Sequence, residues 1–574
     1  MIRSILRGVA ASAAPVLLPA MILAGCTATG ASPSPARTVA AITPADVRSR
    51  IYLIADDSMR GREAGTADNV RMTSYLEREV LRLGLEPGGE NGTYYQTIPM
   101  VRRRADSAST LAVNGEHLSL FTDFVPLRPS STVRFAAALK TGTYPVIYGG
   151  RAGDSTVALR PAEVAGRIVI LDAPIGPSGQ PTGVYTTPAG IAISRFPTAA
   201  GIAIAALDLV TRATASSLRS SGGGLSDRGT VAQPLPFGLL ISRATAEKMM
   251  GSRLGSLQPG TRGGNVQADV RFAERPVTAP ARNVIAILRG SDPALRGEYV
   301  AIGAHSDHIA VARAPVDHDS LRAYNRIMRP NGGDTRVAGP STPTATQRGI
   351  IRAILDSLRR IRPPRPDSIY NGADDDGSGS VALLEIAESL AQGKRPRRSI
   401  LFVWHTAEEA GLLGSAWFTG HATVPHDSIV AQLNMDMVGH GEKRDTPTGG
   451  PRNVQVIGSR RLSTDLGDVV DSVNVRMPQP YLIDYSFDAP RHVQNRYCRS
   501  DHYMYARTGI PIAYISRGYS PDYHMVTDEP QYISYDGLAR VATFVRNIAV
   551  AVADRNDRVR VDKPKPDPLA PCLQ

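Results

Sequence analysis

Apolar and polar positions alternate along this chain in three distinct textures. Between residues 44 and 84 apolar residues recur every three or four positions. Met72, Tyr75, Leu76 and Val80 fall on one helical face, and Gly84 is placed to close it. The pattern predicts two helices there, separated by the turn-prone stretch Gly61-Arg62-Glu63-Ala64-Gly65-Thr66. From about 120 to 275 short β-rich runs (168–171, 202–206, 237–241) alternate with Gly, Ser and Pro, and 216–224 reads as a loose Ser/Gly segment. This texture predicts a separate β-rich domain over 121–275. From Asn283 onward the pattern is strand, loop, helix. Runs 284–288, 299–303, 400–404, 429–435 and 512–515 are almost wholly apolar, with Gln432 and Asn434 the exceptions, as strands buried on both faces are. A helix is predicted to start near Ser378 or Ser380, each a possible N-cap, and another carries Leu538, Val541, Val545 and Ile548. Strands alternating with helices predict an α/β fold: a mixed, largely parallel central sheet with helices on both faces. Its parts are 43–120 and 276–555, and a charged, Pro-rich tail over 556–574 is expected to be loose.

Composition changes the picture at the N-terminus. Arg3 and Arg7 precede 16 uncharged residues, 9–24, interrupted by Pro15 and Pro19. That run is short for a membrane-spanning helix of about 20 residues and fits a secretory leader. It ends in Leu23-Ala24-Gly25-Cys26, which resembles a bacterial lipobox. The expectation is a leader over 1–25, a lipid on Cys26 and a tether over 26–42, giving a body held at a bacterial envelope membrane outside the cytoplasm. An ordinary leader with a chance cysteine and an uncleaved anchor are the alternatives. The other cysteines, Cys498 and Cys572, can pair in an oxidising compartment.

The net charge of +12 invites a nucleic-acid reading. The cations are scattered Arg with few Lys, and the densest group (Arg359, Arg360, Arg362, Arg365) has no aromatic ladder beside it, so no nucleic-acid partner is expected.

Candidate chemistry sits in five short segments, most of them where apolar runs end. They are Gly303-Ala304-His305-Ser306-Asp307-His308; Gly372-Ala373-Asp374-Asp375-Asp376-Gly377-Ser378-Gly379; Trp404-His405-Thr406-Ala407-Glu408-Glu409-Ala410-Gly411; Leu433-Asn434-Met435-Asp436-Met437-Val438-Gly439; and Asp522-Tyr523-His524-Met525-Val526-Thr527-Asp528. Ligands of open α/β sheets gather at the carboxyl ends of strands. His, Asp and Glu without Cys are the donor set of a hydrolytic zinc site. Each segment alone has a plain structural reading: a packed His, a solvated turn, an acidic helix cap. Together, three acidic clusters converging in one poorly solvated cleft call for cations.

In this order the segments resemble the co-catalytic zinc exopeptidases of clan MH, the group of aminopeptidase Y, bacterial zinc aminopeptidases and glutamate carboxypeptidase. The 121–275 region resembles the protease-associated domain that some members carry. The resemblance implies two zinc ions per chain, bridged by Asp375, with His305 and Asp436 completing one site and Glu409 and His524 the other. It makes Glu408 the general base, Asp307 the acid that orients a histidine ligand, and Tyr523 an oxyanion-stabilising residue. It also implies a cis peptide bond after Asp375. The expected activity is removal of N-terminal residues from peptide substrates. A carboxypeptidase or amidohydrolase acting on dipeptides or acyl-glutamates, a non-catalytic binding protein on the same fold, and a one-zinc glutaminyl cyclase are the alternatives.

Other histidines receive structural readings. His308, His405 and His440 are expected to support the site or the packing, and His318 and His492 have no motif context. Ser500-Asp501-His502 contains triad residue types but is read as a structural loop. Between His305 and Asp375 lie 69 residues, more than the family usually has there. This stretch, with a helix carrying Ile350, Ile354, Leu358 and Ile361, is expected to shape or cover the substrate cleft, with a decorative surface insertion as the alternative.

Overall fold

The apolar runs after residue 280 lie side by side in a nine-stranded sheet. The computed structural model describes residues 38–129, 135–173 without 153, 155 and 158, 195–226 without 211, 235–329, 342–567 without 447 and 493, and residues 572 and 574. The expected leader, most of the tether and Cys26 therefore lie outside the described residues. Among the described residues no helix is long and apolar enough to cross a membrane.

The sheet strands are β1 (Glu86–Pro87), β2 (Tyr95–Ile98), β3 (Ala281–Leu288), β4 (Tyr299–His305), β5 (Ser399–His405), β6 (Ile429–Met435), β7 (Asn453–Ile457), β8 (Leu482–Asp484) and β9 (Ile512–Ser516). Their order is β1-β3-β5-β4-β6-β9-β7-β8, with β2 paired to β3. The four central strands β5, β4, β6 and β9 run parallel, so their carboxyl ends open on the same side. The helices used below are α1 (Pro44–Ile54), α2 (Ala67–Arg82), α3 (His318–Met328), α4 (Ala345–Arg359), α5 (Gly377–Ala391) and α6 (Tyr535–Ala553).

Burial on both faces explains the uninterrupted apolar runs. Val284, Ala286, Val300, Ile302, Phe402 and Trp404 pack with α1, α2, α5 and α6, whereas Ile285, Ile287, Leu401 and Val403 pack against Phe418 and Tyr505 on the opposite face. Met72, Tyr75, Leu76 and Val80 of α2 are all buried in the first of these cores. The cap of α5 differs from expectation. Asp376, not Ser378 or Ser380, occupies the N-cap, its carboxylate accepting the Gly379 N–H at 2.9 Å. Both serines lie inside the helix and bind elsewhere. The Ser380 hydroxyl donates to the His305 carbonyl, which ties the helix start to the end of β4.

Strands between Met100 and Pro276 form a second, ten-stranded sheet. Its first strands, Met100–Ala105 and Thr110–Val113, precede residue 121, where the sequence texture changes. The segment expected to be loose near 216–224 is instead a helix, Arg212–Arg219, followed by a strand, Gly222–Leu225. That strand pairs antiparallel with Met100–Ala105, and an existing strand edge supplies the order that the glycine-rich sequence lacks. Glycine is required there: a Cβ on Gly223 would stand 2.6 Å from the Ala410 Cβ. The second sheet thus abuts the turn that carries Glu408 and Glu409.

Two further expectations are corrected. Helix α4 ends at Arg359, so Ile361 lies beyond the helix expected to carry it, and Ile350 and Ile361 are exposed. The tail is held rather than loose. Cys572 forms a disulfide with Cys498, Val559 is buried, and Arg558 and Arg560 pair with Glu298 and Asp465. Few apolar residues are needed to fix such a segment when Arg side chains reach carboxylates already in place.

The Asp465 carboxyl is held down to about 2, chiefly by the side-chain hydrogen bond from Arg560. Its folded-state value lies below the unfolded one of about 3.9. The pair therefore stabilises above pH 4, and its contribution fades as pH falls from about 4 to about 2. Asp465→Asn is expected to give a small drop in Tm at pH 7 that shrinks between pH 4 and pH 3. A pH-independent difference in thermal melts would contradict this.

Candidate metal centre

The site is assembled from residues that follow the parallel strands. His305 ends β4, in register with His405 at the end of β5. Glu408 and Glu409 lie on the turn after β5, and Asp436 follows β6. The loop after β9 brings Tyr523 and His524. Asp375 arrives from the segment just before α5, and the Asp375–Asp376 peptide bond is cis.

One carboxylate joins two histidines from different strands. Asp375 Oδ1 lies 3.2 Å from His305 Nε2, and Asp375 Oδ2 lies 3.1 Å from His524 Nε2. On the first side, Asp436 Oδ1 is 3.8 Å from the same His305 nitrogen. On the second side, Glu409 Oε2 is 3.1 Å from His524 Nε2. The donor atoms of His305, Asp375 and Asp436 all lie within 4.8 Å of one another. His305 Nε2, Asp375 Oδ2 and Asp436 Oδ1 are buried and have no well-directed hydrogen bond among the described residues. Buried polar atoms are normally satisfied, so an inward-facing set of this kind fits a cation.

The surrounding hydrogen bonds fix these groups. His305 Nδ1–H donates to the Asp307 backbone carbonyl at 3.1 Å, leaving Nε2 to face the carboxylates. The Asp307 carboxylate stands 3.8 Å from Nδ1 and instead accepts the Glu408 N–H at 3.1 Å. Asp307 thus orients the histidine through its main chain and the glutamate turn through its side chain. Asp528 accepts the N–H groups of Asp374 and Asp375 at 2.9 and 3.0 Å. Asp376 accepts those of His305 and Met437, which joins the ends of β4 and β6 to the start of α5 through one carboxylate.

Burial and mutual charge set the protonation states. Burial pushes the Glu408 carboxyl well above the usual range, opposed by His305 and reinforced by Glu409, Asp436 and Asp501. Burial also lifts Glu409, but His524 and His308 outweigh it and hold the carboxyl near about 2. Burial raises Asp307 to about 7.

The remaining candidates take up distinct places. Tyr523 stacks between Tyr519 and His524, with ring centroids 4.6 and 3.8 Å away, and its hydroxyl accepts from Arg499 at 3.3 Å. His405 packs on Phe418 and Tyr505, and burial holds it neutral with a pKa of about 3. His440 lies behind the site between Asp445 and Asp528. The side chains of Ser500 and His502 diverge: Ser500 accepts from Asn434, and His502 stacks on Tyr514.

His308, expected from sequence to support the site or the packing, supports the site, whereas Arg62 was not assigned from sequence. His308 Nδ1 lies 2.7 Å from Glu409 Oε1, the oxygen turned away from His524, and so fixes the rotation of that carboxylate. Its position three residues after His305 was the available signal. Arg62 is 1% exposed and donates to the carbonyls of Ile54, Asn371 and Gly372, bracing the backbone that leads into Asp375. Nothing local in Gly61-Arg62-Glu63 marks that role.

A parallel-centred α/β sheet gathers His, Asp and Glu at its strand ends, a donor set that suits a divalent metal ion. Residues 283–549 match the family model described as Peptidase family M28. The leucine aminopeptidase 1 of Fusarium vanettenii is 34% identical over 245 residues, which are 38% of this chain and 58% of that protein. That of Phaeosphaeria nodorum is 30% identical over 262 residues, 42% of this chain and 62% of that protein. The chain thus spans about 60% of the length of the curated relatives it matches. Among solved structures, an aminopeptidase from Aneurinibacillus sp. strain AM-1 aligns over 92% of this chain and 97% of its own, with 16% identity and a TM-score of 0.46. A zinc aminopeptidase from Bacillus subtilis aligns over 94% and 99%, with 16% identity and a TM-score of 0.43.

Proposed function

We propose that the protein is a zinc-dependent aminopeptidase that uses two metal ions and Glu408 as general base. The observation that carries this reading is the Asp375 carboxylate, whose two oxygens face His305 and His524 separately. The relatives named leucine aminopeptidase support hydrolysis at a peptide N-terminus. His305, Asp375 and Asp436 would hold one ion, and Asp375, Glu409 and His524 the other. When bound, such a pair supplies Lewis acidity toward the peptide carbonyl and lowers the pKa of water.

The protein's own part is proton handling and orientation. The Glu408 carboxylate removes a proton from the attacking water and returns it to the departing amine. It is suited to both acts by its place beside the ligands rather than among them. Its backbone N–H is fixed by Asp307, and its Oε2 stands 4.0 Å from His305 Nε2, beside the ligands. The Tyr523 hydroxyl, which burial keeps protonated, is a hydrogen-bond donor for the carbonyl oxygen as it gains charge. Export and membrane attachment through Cys26 belong to the same proposal.

The test offers the purified chain aminoacyl amides, their N-acetylated forms and dipeptides, with and without chelator. Hydrolysis of the free-amine amides, its loss on chelation and its return with zinc are the expected results. Cleavage of only the blocked substrates would overturn the aminopeptidase assignment. Inactivity on every substrate together with no zinc uptake would point to a binding protein.

A further inference from the structure

We propose that the insertion between His305 and Asp375 is a clamp for the loop that carries His524, with His318 and Arg322 as its positioning residues. The inference rests on the reading of His524 as a metal ligand. That loop needs external support. It follows β9 without regular structure until the short turn at Pro530–Tyr532, and His524 sits at φ +57°, a region that non-glycine residues rarely adopt.

Helix α3 of the insertion grips the loop on both sides of His524. Before it, the Arg322 guanidinium pairs with Asp522, whose other oxygen accepts from Thr527 at 2.6 Å. After it, His318 Nε2 lies 2.8 Å from Glu529 Oε2. Tyr532 closes the grip. The Arg322 guanidinium carbon lies 3.3 Å from its ring centroid, and the His318 ring stacks on it at 6.0 Å. The helix itself is anchored through buried Asp319, which accepts from Arg362 Nη2 at 2.6 Å and from Arg359 Nη1 at 3.1 Å. The hairpin of Ala310–Asp317 and Pro366–Tyr370 closes the insertion at its base.

The same loop also reaches the other end of the site, because Asp528 accepts the N–H groups of Asp374 and Asp375. Holding the loop therefore holds both His524 and the shared carboxylate. His318, Asp367 and Glu529 also group as metal donors would. Arg365 Nη2, 2.6 Å from His318 Nδ1 and 3.6 Å from Glu529 Oε2, puts a guanidinium beside that cluster and makes it an ion-pair network.

The test titrates zinc into the metal-stripped full chain in competition with a chromogenic chelator. The wild type is compared with Arg322→Met, Arg322→Lys, Glu529→Gln and, to identify the affected site, His524→Ala. Residues that orient ligands typically contribute about 10–100-fold in metal affinity. Arg322→Met and Glu529→Gln are expected to weaken by that range the same equivalent that His524→Ala removes, leaving the other within about two-fold of wild type. Arg322→Lys, which keeps the charge against Asp522, is expected to recover most of the loss. Wild-type affinity for both equivalents in Arg322→Met and Glu529→Gln would overturn the clamp. Equal weakening of both equivalents with a lowered Tm of the metal-free chain would also overturn it, reducing the insertion to a general structural element. Fewer than two zinc equivalents in the wild type would overturn the two-metal reading, and the clamp with it.

Discussion

Glu408→Gln is expected to lower kcat on a free-amine aminoacyl amide by about 10²–10⁴-fold while leaving zinc content unchanged. The substitution keeps the size of the side chain and the backbone N–H that Asp307 accepts at 3.1 Å. It removes only the capacity to take up and release a proton. Glu408 is distinguished from its neighbour by what it faces. Glu409 is turned to His524 and His308, whereas Glu408 approaches the ligand set only at 4.0 Å from His305. An amide at 408 should therefore leave the ligands in place, and metal analysis beside steady-state kinetics separates the two roles. Activity within about three-fold of wild type would remove Glu408 from the proton path. Loss of zinc together with activity would make it a ligand.

Arg50→Leu is expected to destabilise the fold by about 3–5 kcal/mol, the range for breaking a buried ion pair and leaving its partner charged. Arg50 is 1% exposed and joins α1 to α2 and α5. Its guanidinium reaches Glu79 at 2.8 Å, Glu385 at 2.6 Å and Glu388 at 2.5 Å. Burial already pushes Glu385 up to about 7. Without the guanidinium these acids would face one another, with only Arg82, 35% exposed, still bound to Glu79 and Glu388. Urea denaturation at pH 7 gives the measurement. The double substitution Arg50→Leu with Glu385→Leu is expected to regain part of the loss, because it also removes a stranded charge. A single-variant loss below about 1 kcal/mol would show that the network contributes little to stability.

Much of the fold was legible because burial on both faces leaves a plain trace. The runs near 284, 300, 400, 430 and 512 contain almost no polar residues, and each became a strand of one sheet. The acids and histidines that follow them stood out by contrast. Local chemistry was less informative where several residues could do the same work. Ser378 and Ser380 were reasonable caps for α5, yet Asp376 caps it, because its carboxylate also binds His305 and Met437 from neighbouring strands. The Ser/Gly segment became a helix and a strand because Met100–Ala105 offered an edge to pair with. The tail became ordered because Glu298, Asp465 and Cys498 were already fixed elsewhere.

By itself the sequence determined the types of element, the residues available for chemistry and their place after strands, since these follow from local periodicity and composition. The tertiary structure decided which of those residues meet. The crossover order β5-β4-β6-β9 sets His305, Glu408, Asp436 and the His524 loop side by side, and no local pattern encodes that order. It also decided that Asp375 turns one oxygen to each histidine, that His308 backs Glu409, and that His318, far along the chain, grips Glu529. Contacts of this kind depend on side-chain direction and distance across the sheet, and a sequence fixes those only once the chain has folded.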